Sequence, residues 1–309
     1  VTATELEAHF AYLKAHDFRV VSLTQAQELL AQDTVPDKLV SITFDDGWRN
    51  VYDNGLEIFK KYRYPFTVFV NPYLMAETPR IYMNWEQLRE LTEYGATIAN
   101  HSQFHEHMTW RHAEQDETAW QQRQLTAIVD AQNVIDEQLG SAQAKLFAYP
   151  FGEYDAKLAD LLAELGYLAF GQHSGPWGKQ TKPTEIPRFP ASANYANLET
   201  LKTKLESLAL PVIAHTPRTM EVAHETDEVQ VRLELQPSPD IQLQRMNCFY
   251  QGEVLQPDSN DWQVSLVLPQ PPIGRSRVNC TLPSSALAGR FYWYSVPLVR
   301  PDAQGRWPD

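Results

Sequence analysis

Apolar positions in the first two thirds of the chain fall into two alternating kinds of segment. In one kind they recur every three or four residues, as Leu6, Phe10 and Leu13 do within 6–14, which predicts a helix with one buried face. The other kind is a short, nearly continuous apolar run, found at 18–23, 39–44, 65–71, 96–99, 145–149 and 167–170. Further helices are predicted at 24–30, with Thr24 as N-cap, and at 54–62, 85–94, 116–139 and 156–165. Gly95 and Gly140 stop two of them. A strand apolar at every position needs both faces covered. Strands separated by single helices therefore predict a parallel sheet clothed in helices.

The pattern changes after Pro211. Residues 228–235 (Glu-Val-Gln-Val-Arg-Leu-Glu-Leu) alternate polar and apolar, as a strand with one face on a core must. Segments 262–268, 275–282 and 290–298 behave alike, with Pro- and Gly-rich turns between them. The expected organisation is an α/β domain over 1–211 and a small all-β sandwich over 212–309. Internal repeats and low-complexity tracts are absent from the sequence.

Composition narrows the partners. The 309 residues are 43% hydrophobic and 21% charged, ordinary globular values that suffice for one large and one small domain. Lys+Arg 26 against Asp+Glu 39 leaves a net charge of −13, which disfavours nucleic acid and anionic membranes as main partners. No apolar run approaches the roughly 18 residues that would predict a transmembrane segment. The first residues, Val1-Thr2-Ala3-Thr4-Glu5, have no basic segment and no apolar core of a signal peptide. Cys248 and Cys280 both lie in strand-like segments; a disulfide of an exported protein and two buried thiols are both open.

The chemistry begins where the run 39–44 ends, at Asp45-Asp46-Gly47. Two adjacent carboxylates after a buried strand repel one another unless a cation or proton intervenes. Successive side chains leave a strand on opposite sides, so the two Asp can do different work, one on a metal and one on a water. Downstream, Asn100-His101-Ser102-Gln103-Phe104-His105-Glu106-His107 follows the strand 96–100. The i,i+4 spacing of His101 and His105 suits two imidazoles on one side of a helical turn, whereas His107 points elsewhere. One carboxylate and two imidazoles without a thiolate suit a divalent ion such as Zn²⁺, with Co²⁺ or Ni²⁺ also compatible. A general base beside such a metal is the minimum kit for metal-assisted hydrolysis.

Thr43-Phe44-Asp45-Asp46-Gly47, then His101-Ser102-x-x-His105, then Tyr149-Pro150-Phe151-Gly152 resemble in order and spacing the first three motifs of the polysaccharide deacetylases, the NodB-homology or carbohydrate esterase family 4 enzymes. The resemblance covers about residues 1–210. It implies a distorted (β/α)7 barrel that removes acetyl groups from a polysaccharide or oligosaccharide with one divalent metal. Asp46, His101 and His105 would be its ligands, Asp45 the general base, and the N–H of Phe151 the oxyanion donor. Tyr149 and Pro150 would lie at the substrate. The context 147–152 and Ser174-Gly175 look most like the exported enzymes acting on poly-N-acetylglucosamine, which implies a periplasmic or extracellular location.

Three departures from the family pattern stand out. Many members have an Arg two residues before the motif-three Pro; here it is Ala148, and Arg188 is the candidate replacement or else a surface residue. The usual Asp-Trp of motif four is missing; Ser174-Gly175-Pro176-Trp177 takes its approximate place, with Trp177 on a sugar face or in the core. For the general-acid histidine there are two candidates, His215 in Val212-Ile213-Ala214-His215 and His173 after the strand 167–170. Tyr82, Trp85 and Trp110 flank post-strand loops, and the aromatic run 291–294 offers either a sugar platform or core packing. Two further readings compete. A glycan-binding pseudo-deacetylase would keep the metal without turnover. A glycosidase would need carboxylates about 5–9.5 Å apart flanking the bond and would leave the histidines unexplained.

Overall fold

The computed structural model describes residues 1–112 and 115–308. The chain divides into two compact units. The first is Val1–Pro150, Leu161–Ala169 and Ala191–Leu205; the second is Phe151–Asp160, Phe170–Pro190 and everything from Glu206 onward.

The N-terminal part runs α1 (Ala3–Ala15), β1 (Arg19–Val20), α2 (Leu23–Leu30), β2 (Leu39–Val40), β3 (Ile42–Phe44), α3 (Arg49–Tyr62), β4 (Phe66–Val70), α4 (Pro72–Glu77), α5 (Trp85–Thr92), β5 (Ala96–Asn100), α6 (Glu117–Leu139), β6 (Leu146–Ala148), α7 (Ala156–Glu164), β7 (Leu168–Phe170) and α8 (Leu198–Leu205). Elements α7 and β7 contribute residues to both units. Strands lie in the order β3-β4-β5-β6-β7, parallel across β3/β4, β4/β5 and β5/β6, while β1 and β2 form a separate parallel pair. Sequential strand order with helical crossovers is the α/β architecture that the apolar runs predict.

Packing explains the continuous runs. Every residue of β4 is buried, and Phe66, Val68 and Val70 join Phe59 of α3, Leu88 and Leu91 of α5 and Ile98 of β5 in one core. Phe59 stacks on Phe66 with ring centroids 4.2 Å apart. Helix starts also follow local chemistry. The N-cap of α2 is Ser22 rather than Thr24, because Ser22 and Gln25 satisfy each other's backbone N–H groups in a capping box. Thr24 Oγ1 lies 2.9 Å from Ser22 Oγ instead.

From residue 206 the second unit is built of strands, with one short 3-10 turn at Leu243–Arg245: β8 (Leu208–Ala209), β9 (Val212–Thr216), β10 (Glu228–Leu235), β11 (Asn247–Tyr250), β12 (Glu253–Leu255), β13 (Asp258–Asn260), β14 (Gln263–Pro269), β15 (Gly274–Pro283) and β16 (Phe291–Arg300). They form two sheets, β13-β14-β10-β9 and β12-β11-β15-β16-β8. Strand β10 alternates exposed and buried residues along its whole length. Its Val229, Val231, Leu233 and Leu235 share a core with Val264 and Leu268 of one sheet and with Val278, Leu282, Val296 and Leu298 of the other. That is the two-sheet sandwich read from the alternation. Cys248 and Cys280 are register partners on β11 and β15, both buried, and their sulfurs are bonded. The alternative of two free thiols is thereby closed.

Candidate metal centre

Parallel strands bring their carboxyl ends to one edge of a sheet, and the loops that leave that edge carry the chemistry. Asp45 and Asp46 follow β3, and His101 follows β5. The turn after β3 is tight: Asp46 has φ 68° and Gly47 φ 69°, and a Cβ on Gly47 would come 3.1 Å from Val70 Cγ1. Glycine is therefore required there, and Asp46 is held in a left-handed conformation that Asp tolerates better than most residues.

The histidine loop is not a helical turn. Ser102 and His105 both adopt left-handed backbone, at φ 65° and 52°, and it is this irregular path that turns His105 back toward His101. The reason lies in buried side chains. Asn71 donates from Nδ2 to the carbonyls of His101 and Ser102, and Asn100 Oδ1 accepts from the Ser102 N–H at 2.8 Å. Asn100 Nδ2 in turn donates to the Ile128 carbonyl at 2.8 Å. Asn100, the first residue of an Asn-x-Ser sequon, is fully buried in this role, which closes it to glycosylation. Neither Asn emerged from the sequence as a site residue. Their position directly after β4 and at the end of β5 was the only available signal.

Three ligand atoms converge. Asp46 Oδ1 lies 3.1 Å from His101 Nε2 and 3.2 Å from His105 Nε2, and the three atoms are all within 4.8 Å of one another. The other edge of the fully buried His101 ring, Nδ1, is 2.6 Å from the carbonyl of Ala148. A carbonyl only accepts, so Nδ1 carries the proton and the neutral ring turns a lone pair from Nε2 toward the carboxylate. Two acceptors facing each other at that distance require a cation between them, either a second ring proton or a metal ion. A carbonyl on the far nitrogen is also the support that metal-bound imidazoles usually have. The donor set therefore fits a divalent ion. Burial works against ionisation of the Asp46 carboxyl, but with a second proton on the rings, hydrogen bonds and charge from His101 and His105 outweigh it and hold the group well below the usual carboxylate range.

Asp46 Oδ2 accepts the indole N–H of Trp48 at 2.7 Å, and Trp48 stacks on Tyr82 with centroids 5.0 Å apart. Trp48 is 41% exposed, so this aromatic pair forms an open rim beside the ligands. Trp48 escaped the sequence reading, although its place just after Asp-Asp-Gly was the available cue. Asp45 is half-buried at the end of β3. His107 stacks on Trp110, with ring centroids 4.0 Å apart, and is not among the converging ligands. Tyr149 is fully buried and packs edge-on against Phe147, so its ring faces the core of the first unit, and Pro150 is buried beside it in sequence.

The remaining candidates lie in the second unit. Phe151 has φ 58° and Gly152 φ 71°, forming a left-handed turn. Arg188 donates from Nε to the Gly171 carbonyl at 2.9 Å, and its own N–H donates to the His173 carbonyl at 3.0 Å. His173 and His215 line one cavity with Glu185, Lys182 and Tyr294. Trp177 sits edge-on to Phe170 with centroids 5.8 Å apart. Tyr292 and Tyr294 of β16 pack on the sandwich core, the structural alternative for the aromatic run 291–294.

The chain is similar to known proteins in sequence and in fold. The family model described as polysaccharide deacetylase matches residues 32–170. The chain carries a polysaccharide deacetylase domain. The chain is 27% identical over 168 residues to YxkH of Bacillus subtilis, named for the same family, covering 54% of this chain and 56% of that protein. Over 98 residues it is 32% identical to the poly-β-1,6-N-acetyl-D-glucosamine N-deacetylase of Staphylococcus epidermidis, covering 31% of this chain and 34% of that one. The chain thus spans about half, or less, of the length of these curated relatives. Among solved structures, IcaB of Ammonifex degensii superposes with TM-score 0.58 at 22% identity, over 66% of this chain and 89% of that one. The Streptococcus pyogenes deacetylase PplD gives 0.57 at 21%, over 67% and 88%. At these identities the structural likeness establishes the fold of the deacetylase domain.

Proposed function

We propose that the protein is a metal-dependent carbohydrate deacetylase that hydrolyses N-acetyl groups of N-acetylglucosamine units in a polysaccharide or oligosaccharide. The observation that carries this reading is the convergence of Asp46, His101 and His105, with the His101 proton committed to the Ala148 carbonyl. A divalent cation held by those three, Zn²⁺ before Co²⁺ or Ni²⁺, supplies positive charge that polarises an acetyl carbonyl and makes water more acidic. Asp45, the neighbouring carboxylate, takes the proton of the attacking water as general base. The N–H of Phe151 donates to the oxyanion, since Pro150 has no N–H to offer. Arg188 fills the place of the Arg that motif three lacks. The amine leaves with a proton from His215, which is favoured over His173. Burial lowers the pKa of both rings, but a carboxylate, Glu185, lies 4.0 Å from His215 Nε2 and favours its charged form, while the charges acting on His173 are all cationic. Trp48 and Tyr82 offer a stacked rim, and Trp177 a further face, for the apolar side of a pyranose ring.

The poly-β-1,6-N-acetylglucosamine deacetylase of S. epidermidis is the relative that suggests the substrate. The buried disulfide supports an oxidising, periplasmic or extracellular location. Among the described residues no helix is long and apolar enough to cross a membrane. The decisive experiment measures acetate released from a β-1,6-linked N-acetylglucosamine oligomer. Chelation should abolish release and added Zn²⁺ should restore it. Asp45→Asn should keep its metal yet lose about 10²–10⁴ in kcat. Release indifferent to chelators would overturn the proposal. Oligomer binding with no acetate under any of the three metals would instead mark a glycan-binding protein without turnover.

A further inference from the structure

Within the second unit, one arginine of the β-sandwich reaches the turn that follows Pro150. Arg275, near the start of β15, donates from Nη1 to the carbonyl of Phe151 at 3.3 Å and to Glu153 Oε1 at 3.4 Å. Its guanidinium also lies over the Phe151 ring, 5.5 Å from the centroid. The Glu153 side chain is 1% exposed, and the same Oε1 accepts the indole N–H of Trp307 at 2.8 Å. A buried carboxylate is kept only when donors compensate its desolvation, and Arg275 and Trp307 are such donors. The turn they hold is constrained. Phe151 stands in left-handed backbone, which a phenylalanine keeps only when its surroundings impose it. A Cβ on Gly152 would lie 2.6 Å from the backbone nitrogen of Gln172, so the next residue cannot relax outward either.

We infer that Arg275 is a positioning residue for the oxyanion donor: by fixing the Phe151 carbonyl and ring and the Glu153 carboxylate, it sets the direction of the Phe151 N–H. The inference rests on the proposed role of that N–H. The carbonyl and the N–H flank a single Cα. Once one peptide plane is anchored and φ and ψ are held at 58° and 3°, the other plane has little freedom. Oxyanion stabilisation is sensitive to such freedom, since its donors must already point where charge develops. A lysine cannot replace the contacts fully. Only a planar guanidinium can lie over a ring while its edge reaches two oxygens. This also gives the sandwich a task in catalysis that needs no contact with glycan.

The test compares the parent protein with Arg275→Ala, Arg275→Lys and Glu153→Gln, each loaded with Zn²⁺, measuring kcat and KM on the N-acetylglucosamine oligomer with bound metal and Tm. Arg275→Ala should lower kcat about 10- to 100-fold, the penalty of a small misplacement, with KM within twofold and metal content unchanged. Arg275→Lys should recover part of that loss, and Glu153→Gln should lose several-fold in kcat alone. The inference is overturned if Arg275→Ala turns over within twofold of the parent. It is equally overturned if kcat falls only as folded protein is lost and lysine restores none of it. Should Arg275→Ala fail to fold, Glu153→Gln decides, and an unchanged kcat there is fatal to the idea. A parent protein that releases no acetate with any metal brings down the deacetylase reading itself, an outcome distinct from active parent and active Arg275→Ala.

Discussion

Each unit gathers two histidines and a carboxylate, and the two sets do opposite things. In the first unit, Asp46 Oδ1 sits 3.1 and 3.2 Å from two imidazole nitrogens, and the side chains that lower the Asp46 pKa most are those two histidines. In the second, Glu185 is 3.0 Å from Lys182 Nζ and 4.0 Å from both an Arg218 nitrogen and His215 Nε2. His215 Nδ1 is hydrogen-bonded to the Tyr294 hydroxyl, while buried His173 leaves Nδ1 without a hydrogen-bond partner. The first set faces its carboxylate with two imidazoles, so a second ring proton or a metal ion must supply the counter-charge. The second already has its cations, and burial together with neighbouring positive charge keeps both imidazoles below their ordinary pKa. Residue type alone therefore does not make a metal site. What matters is whether the carboxylate's counter-charge is already supplied by side chains.

The sharpest way to break this contrast is to remove one ligand from each set. His101→Ala should abolish Zn²⁺ binding, read as metal per chain after dialysis, and lower acetate release at least 10³-fold. Asp46, His105 and solvent would remain, but one carboxylate and one imidazole make a poor site. His173→Ala should leave the metal content unchanged. A His101→Ala protein that keeps one metal per chain would show that the first set is not the ligand sphere.

How much of this contrast is legible in the sequence differs between the two sets. Asp45-Asp46-Gly47 and His101-x-x-x-His105 each lie within a few residues, directly after a recognisable strand, so local order carries them. The geometry behind the spacing is another matter. An i,i+4 pair suggests a helical turn, whereas the loop is bent by Asn71, whose partners are the remote carbonyls of His101 and Ser102, and by Asn100, which accepts the Ser102 N–H and is itself fixed by the remote Ile128 carbonyl. The second set is assembled from residues 173, 185 and 215, and only folding shows that His215 meets Tyr294 from a strand 79 positions away. The same limit governs the sandwich. Strand β10 is readable because eight residues alternate without interruption, while β12 and β13, three residues each, offer too few alternations to register. Arg275 reads as an ordinary strand residue until Phe151 and Glu153 are seen beneath it.

A second cut tests the histidines against each other. His215→Asn should lower kcat about 10²-fold at neutral pH with little change in KM, the usual scale for losing a proton donor. His173→Asn should cost less than tenfold, because His173 has no carboxylate among the groups that act on it. Equal losses in both variants would remove the distinction that Glu185 makes. A larger loss in His173→Asn would reverse the assignment.

The smallest effect sharpens the electrostatic half of the comparison, and it concerns stability rather than turnover. Burial, then the charges of His215, Arg188 and Arg277, lower the His173 pKa to about 3. In the unfolded chain the same imidazole titrates near ~6.5. Between those values the unfolded state binds the proton and the folded state does not. The contribution is thus present above pH ~6.5 and is lost progressively as pH falls toward 3. From pH 7 to pH 5 the loss is about 2 kcal/mol, at ~1.4 kcal/mol per pH unit below ~6.5. Asp46 changes stability only at lower pH, because a depressed carboxylate acts below its unfolded value of ~3.9. His173→Gln should therefore flatten the fall of Tm between pH 7 and pH 5, leaving the slope that His215 contributes in the same direction. If the wild-type protein and His173→Gln lose Tm in parallel over that interval, His173 is not held neutral by its surroundings, and the opposition between the two sets loses its electrostatic basis.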